Sequence, residues 1–335
     1  MTTEIFFSSP KLGEITGKQL QLMLHRFHLG ELISYAPTSK GVGQQTLFLQ
    51  STTGEYVLKG NPLYPGQFIE EKYYIEHLRS TTSLPIPPLY IVDEAEDIFG
   101  WSYAIMSRLP GLHLSDPAAY AGLNEVEREA VALLLADTLA QMQCWKVDRC
   151  GEYKPLEGRI IEFSAGYTAW LYERIRYWLA DAKNYSTVTE QDLAWVEEVL
   201  SSAELAFNEL SAPVYVMGDY KLDNLLFQPQ ADGWRLSGLF DFTNGYFGDG
   251  LADVSRIMTM YLDRGEVEAA TQFIKRYYLN SESKAGFKER YRVHILHQRV
   301  LDWGCAYAIN QVTWGRELSF ADWASEFIDL PVGVE

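Results

Sequence analysis

The sequence predicts an α+β protein of two lobes: a small one built on a five-stranded antiparallel sheet with one helix, then a larger, mainly helical one. Three observations lead there. Short β-favouring runs separated by turn residues fill the segment from Leu32 to Ser107, and long helical periodicities dominate from about Leu123 onward. Between them, Leu109-Pro110-Gly111 supplies residues that cannot continue a ladder, so the lobes are drawn as 1–107 and 108–335. A length-based prior of roughly two domains agrees with this division.

In the first lobe, Ile33 to Ala36, Thr46 to Gln50 and Tyr56 to Lys59 read as three antiparallel strands, separated by Ser39-Lys40-Gly41-Val42-Gly43 and by Ser51-Thr52-Thr53-Gly54. Gly66 to Arg79 has helical spacing. Pro85-Ile86-Pro87-Pro88 stops that helix before two further strands, near Leu89 to Val92 and Trp101 to Met106. In the second lobe, Asn124 to Trp145, Ala165 to Ala182, Glu190 to Leu210 and Tyr291 to Gln311 read as helices. The first of these buries Val131, Leu134, Leu135, Thr138 and Met142 on one face. No internal repeat or low-complexity tract interrupts the pattern.

Composition excludes several classes. With 47% hydrophobic and 22% charged residues the chain reads as a soluble globular protein, and no window approaches a membrane-spanning helix. The opening Met1-Thr2-Thr3-Glu4-Ile5 lacks the basic start and apolar run of a leader, so the expected location is the cytoplasm. The formal net charge of -17 disfavours nucleic acid and anionic membranes as partners. Cys144, Cys150 and Cys305 have neither CxxC spacing nor an even count, which argues against a disulfide framework or zinc site. Oligomeric state is not written in the composition.

The chemistry concentrates in Met217-Gly218-Asp219-Tyr220-Lys221-Leu222-Asp223-Asn224, followed by Leu239-Phe240-Asp241-Phe242. This is the layout of a kinase catalytic loop and its metal-binding strand end. Asp219 is positioned to accept a hydroxyl proton, Lys221 to steady a moving phosphoryl group, and Asn224 and Asp241 to ligate magnesium. Upstream, Lys59 ends a strand and shares the side of Val57. Phe68, Glu71, Ile75 and Leu78 recur at helical spacing, which sets Glu71 in an apolar stripe where a carboxylate needs a partner. Lys59 is that partner, aimed at the α- and β-phosphates of ATP. Glu70 and Glu76 are read as solvated. Gly41 and Gly43 are candidates to let backbone N–H groups approach phosphate. Asp223 is expected in a turn, Asp249 as a helix cap, and Asp253 either bracing the loop or exposed. His294 and His297 read as core residues without a third metal ligand.

On these residues the chain resembles the aminoglycoside phosphotransferase and choline kinase-like superfamily, which implies a protein kinase-like fold. Gly218-Asp219 with Asn224 looks like its HGDxxxxN loop, Asp241 like its metal aspartate, and Gly248-Asp249 through Asp253 like its GDPxxDLA segment. Lys59 and Glu71 match its nucleotide-anchoring pair. Ile105-Met106-Ser107-Arg108-Leu109-Pro110-Gly111 is similar to its hinge, which implies that backbone groups of Ser107 and Leu109 meet the adenine. Three positions depart from the pattern: Met217 replaces a His, Thr243 stands where many members carry an acid, and Gly250 replaces a proline. The string Gly-Asp-Tyr-Lys-Leu-Asp-Asn-Leu-Leu-Phe-Gln-Pro is similar to the form in phosphotransferase domains associated with acyl-CoA dehydrogenases.

The resemblance implies ATP and magnesium as cofactors and the hydroxyl of a small molecule as acceptor, of aminoglycoside, amino-alcohol or hydroxyacyl type. The alternative is a nucleotide-binding pseudokinase with a regulatory or scaffolding role. Trp170, Arg174, Tyr177 and Asp181, along one side of a helix, are the candidate acceptor wall; Tyr167, Leu171, Ile175 and Trp178 on the other side are candidate core.

Overall fold

The computed structural model describes residues 15–38, 45–208, 210, 212–231 and 233–331. The first element among the described residues is helix α1 (Gly17–Arg26), started by a capping box in which Thr16 and Gln19 satisfy each other's backbone N–H groups. Strands β1 (Leu32–Pro37), β2 (Gln45–Ser51) and β3 (Gly54–Gly60), helix α2 (Gln67–Thr81), and strands β4 (Tyr90–Asp93) and β5 (Tyr103–Ser107) follow. The five strands form one antiparallel sheet in the order β1-β2-β3-β5-β4. All five strands and α2 lie where the sequence puts them, within a few residues at each end.

Side-chain alternation gives this sheet two differently covered faces. Leu58, Tyr103 and Ile105 point to one face and pack with Leu20, Met23 and Leu24 of α1. Val57, Ala104 and Met106 point to the other and join Phe68, Ile75 and Leu78 of α2 in a core that continues into the helical region. Lys59 lies two residues beyond Val57, so it too projects toward α2.

Beyond the sheet come α3 (Pro117–Ala121), α4 (Glu125–Met142), the hairpin β6 (Gly151–Lys154) and β7 (Arg159–Glu162), α5 (Tyr167–Ala182), α6 (Glu190–Phe207) and β8 (Val214–Val216). The hairpin β9 (Leu225–Gln230) and β10 (Gly233–Leu239), then β11 (Tyr246–Gly248), α7 (Leu251–Asp263), α8 (Val267–Asn280), α9 (Phe287–Ala308) and α10 (Phe320–Ser325) complete the described chain. Asn124 and Thr189 begin α4 and α6 with capping boxes. Helix α9 is the axle: Val293, Ile295, Leu296, Val300 and Trp303 are buried on several sides, and α5, α6 and α7 all pack on it.

A four-stranded sheet in the order β7-β6-β11-β8 faces α2 across an aromatic cluster. Tyr73 stacks on Tyr153 with centroids 3.7 Å apart, His77 stacks on Trp145 at 3.5 Å, and Tyr74 donates to the Gly245 carbonyl at 2.9 Å. Helix α2 is therefore enclosed on two sides. That corrects the reading of Glu70 as solvated: its carboxylate is buried and accepts from Tyr64 Oη at 2.8 Å and Tyr74 Oη at 3.2 Å. A single-stripe helix model misses it because the second covering layer comes from residues far away in sequence. Glu76 does face water. Helices α1, α3, α8 and α10, the β6–β7 hairpin and β11 have no counterpart among the sequence expectations. None of the helices among the described residues is long and apolar enough to cross a membrane.

Because α1 closes one face of the sheet, Leu24→Ala is expected to destabilise the protein by about 2–5 kcal/mol, the usual cost of emptying a fully buried leucine site. Urea unfolding checks it; an unchanged midpoint would show that α1 does not share the core.

Candidate active site

Lys59 and Glu71 meet inside the small lobe. The Lys59 Nζ lies 2.9 Å from both Glu71 carboxylate oxygens, with Glu71 fully buried and Lys59 nearly so. Glu71 also accepts from the Tyr90 hydroxyl and, at 3.1 Å, from the backbone N–H of Phe242, which belongs to the helical region. A buried carboxylate with that many donors is well satisfied. The third contact of the ammonium crosses the cleft: Lys59 Nζ to Asp241 Oδ1 is 3.0 Å. Burial opposes the Lys59 charge, but Asp241 and Glu71 outweigh it and hold its pKa above the ordinary lysine value. Burial likewise pushes Asp241 up, yet the Lys59 charge and hydrogen bond leave its pKa below the usual carboxylate range.

Asp241 follows β10 and Asn224 precedes β9, so hairpin register brings them to the same end. Leu225 pairs with Leu239, and the Phe240 N–H donates to the Asn224 carbonyl at 3.2 Å. Asp241 has φ of 68°, a left-handed conformation that aspartate tolerates better than most residues and that often marks a functional position. Thr243 Oγ1, in place of an acid, donates to Asp241 Oδ1 at 3.0 Å.

The loop carrying Asp219 is held by its backbone. Asp253, at the start of α7, accepts from the N–H groups of Met217 at 2.7 Å and Gly218 at 2.8 Å. This resolves the alternatives for Asp253: it is buried and braces the loop. Met217 is fully buried in the core, in the place where a His was the expected support. Gly218 takes φ of 76°, and a Cβ there would sit 2.3 Å from the Asn244 carbonyl oxygen, so no larger residue fits without displacing backbone.

Both carboxylate oxygens of Asp219 are engaged. Lys221 Nζ is 2.7 Å from Oδ2, and Asn224 Nδ2 donates to Oδ2 at 3.1 Å and to the Asp219 carbonyl at 2.9 Å. Arg256 Nη1, on α7, lies 2.6 Å from Oδ1. Sequence reasoning missed Arg256. The signal was there, since a residue three after Asp253 on a helix shares its face, and Asp253 was already a candidate to touch the loop.

Other candidates separate from this cluster. Ser107 spends its N–H on the Leu89 carbonyl at 3.1 Å, so its carbonyl is the group it can present to a base; Leu109 is half-buried beside it. Gly41 and Gly43 lie outside the described residues. Asp223 is exposed. Asp249 accepts from the Leu251 N–H at 3.2 Å as a cap would, but it also forms a buried pair with Arg290 at 2.6 Å and meets His294 at 3.1 Å. A cavity of about 730 Å³ between α5 and α6, lined by Tyr172, Arg176, Glu197 and Phe207 among others, shares none of the cleft's residues.

The donor set suits a hard cation that shares phosphate oxygens. With Asn224 Nδ2 turned to Asp219, its Oδ1 is left as an acceptor; with Lys59 and Thr243 on Asp241 Oδ1, the Oδ2 of that residue is left too. Among the described residues, no group of three or more His, Cys, Asp or Glu could hold an ion by itself. One carboxylate and one amide oxygen are what magnesium takes when a nucleotide supplies the rest of its shell.

The model of the phosphotransferase enzyme family matches residues 34–289, from β1 into α9. The chain belongs to this family. It is 23% identical over 231 residues to acyl-CoA dehydrogenase family member 11 of Rattus norvegicus, covering 66% of this chain and 27% of that protein. To acyl-CoA dehydrogenase family member 10 of Mus musculus it is 22% identical over 219 residues, 64% of this chain and 19% of that one. The chain thus spans about a quarter or less of the length of these curated relatives. Among solved structures, a thermostable mutant of aminoglycoside phosphotransferase APH(4)-Ia superposes with a TM-score of 0.61 at 19% identity, covering 93% of this chain and 97% of that one. The GDP complex of wild-type aminoglycoside 2'-phosphotransferase-IIIa gives 0.62 at 13%, covering 93% and 96%. At such identities the likeness establishes the fold, the bilobal protein kinase-like fold of this family.

Burial raises the Asp253 pKa to about 7, against the hydrogen bonds from Met217 and Gly218. A carboxyl with a raised folded pKa binds more protons folded than unfolded, so its contribution to stability falls as pH climbs from about 4 to about 7. Asp253→Asn is expected to flatten that part of the stability-versus-pH curve measured by denaturant. An unaltered slope would refute the assignment.

Proposed function

We propose that the protein transfers the γ-phosphate of magnesium-bound ATP to a hydroxyl of a small molecule. The observation that carries the reading is the Lys59–Asp241 contact of 3.0 Å, which joins the sheet's ammonium to the far-side carboxylate within one cleft. Family membership supports it, as do fold neighbours solved with ADP and hygromycin B or with AMP-PNP and hygromycin B.

In this reading Lys59, aimed by Glu71, binds the α- and β-phosphates, and the Ser107 carbonyl and Leu109 N–H take the adenine. Asn224 Oδ1 and Asp241 Oδ2 would hold magnesium, which would neutralise phosphate charge. Asp219 orients the acceptor hydroxyl and takes its proton. The acceptor oxygen then bonds to the γ-phosphorus as the bond to the departing ADP oxygen breaks. Lys221, already at Asp219, follows the charge on the moving group. Residues 1–107 and 108–335 would act as nucleotide and acceptor lobes. Little covalent chemistry is asked of the protein, so positioning and charge do most of the catalysis.

The decisive assay is ADP release with magnesium and ATP across a panel of alcohols. No turnover with any acceptor, together with normal ATP binding, would overturn the enzyme reading in favour of a pseudokinase. Asp219→Asn is expected to lower turnover by about 10²-fold or more while ATP affinity stays nearly constant; turnover equal to the parent enzyme would remove Asp219 from its role. Lys59→Ala should weaken ATP binding by about tenfold and lower turnover with it, since phosphate loses its charge partner and Glu71 is left buried without one. ATP affinity unchanged by that substitution would count against the Lys59 assignment.

A further inference from the structure

Arg256 lies on the catalytic carboxylate, and its position says something about the acceptor. This inference rests on the reading of Asp219 as the base. An acceptor hydroxyl must come within about 2.6–3.2 Å of an Asp219 oxygen. Oδ2 is held by Lys221 and Asn224, which the same reading needs where they are. Oδ1 is held by Arg256 at 2.6 Å. A carboxylate oxygen accepts two hydrogen bonds, so the hydroxyl comes in at Oδ1 beside the guanidinium.

Arg256 meets Asp219 through Nη1, and a guanidinium has further N–H donors to offer. Its side chain is 39% exposed while that of Asp219 is 11% exposed, so the pair closes the base from the solvent side. Those further donors lie beside the place the hydroxyl must take, and they suit an anionic group. Asp302 of α9 is within electrostatic reach, but burial pushes its carboxyl up and Gln298 already donates to it at 2.7 Å. Helix α5 carries a second cation. Cys305 of α9 feels both Arg256 and Asp181 of α5, and Arg174 lies two turns before Asp181 on the same face of α5. The Arg174 guanidinium sits over the Trp170 ring, 4.9 Å from its centroid, and its charge reaches Tyr246 and His297.

We infer that the acceptor is a hydroxyl compound bearing its own anionic group, a carboxylate or phosphate, and that Arg256 binds this group through its remaining N–H donors while the hydroxyl reaches Oδ1. A polycationic acceptor would place like charge against Arg256. The anion thus selects the substrate and sets its hydroxyl at the base, and Arg256 is a specificity-determining residue.

The test compares a hydroxycarboxylate series with the matched primary amides and amino alcohols, plus glycerol 3-phosphate as the phosphate-bearing arm. The parent enzyme is expected to favour a carboxylate or the phosphate over its uncharged and cationic counterparts by at least about tenfold in kcat/KM, the scale of one charge-assisted contact. Arg256→Gln should abolish that preference and Arg256→Lys restore part of it. A purely structural arginine would instead lower every acceptor alike and leave the ratio unchanged, which would overturn the inference, as would a parent preference for the amino alcohol. Calorimetry in the presence of MgADP, using the carboxylates without the hydroxyl and inorganic phosphate as probes, separates this inference from the catalytic reading. Binding weakened about tenfold in Arg256→Gln supports the anion site even if no acceptor turns over; no Arg256-dependent binding of either probe sinks it even if ATP-dependent turnover is found.

Discussion

One buried ammonium is the constraint on which the rest of this molecule depends. Lys59 has negligible access to water and is kept charged by two carboxylates from different parts of the chain, Glu71 of α2 and Asp241 beyond β10. Such a charge is tolerated only while its partners stay in place. Glu71 in turn accepts the Phe242 N–H, so the residue after Asp241 is tied to α2 as well. Sheet, helix and the β9–β10 hairpin are held in register by one connected set of charge-assisted bonds.

Around that set the fold provides two kinds of stiffness. Aromatic packing between α2 and the β6–β11–β8 strands makes the second sheet face part of the helical core, so the two regions share buried surface. The loop bearing Asp219 is fixed through main-chain groups: Asp253 holds two N–H groups, and the tight approach of Gly218 to the Asn244 carbonyl sets its path. Met217 in place of a histidine is compatible with this design because the bracing runs through backbone atoms and a neighbouring helix rather than through that side chain.

The strongly acidic whole and the local charge at the site are different things. A net charge of -17 coexists with Lys59, Lys221 and Arg256 gathered about two aspartates. Bulk charge governs solubility and long-range encounter, whereas recognition of phosphate is decided within a few ångströms. The relatives illustrate the same separation of fold from use: similar architecture occurs in aminoglycoside phosphotransferases, and similar sequence in part of much longer acyl-CoA dehydrogenase family members. Function has to be argued from the site.

The sequence by itself determined the two-region α+β architecture, the five strands of the first sheet, and the order of Lys59, Glu71, Asp219, Asn224 and Asp241 along the chain. These are local properties, carried by alternation, helical spacing, turn residues and short motifs. The Thr16–Gln19 capping box before Leu20, Met23 and Leu24 of α1 is a local sign of the same kind. Only the tertiary structure decided that Glu70 is enclosed, that Arg256 closes Asp219, that the Ser107 N–H is committed to the sheet, and that Asp249 pairs with Arg290. Each depends on which distant surface covers a given face, and a partner many residues away leaves no periodicity at the position it covers.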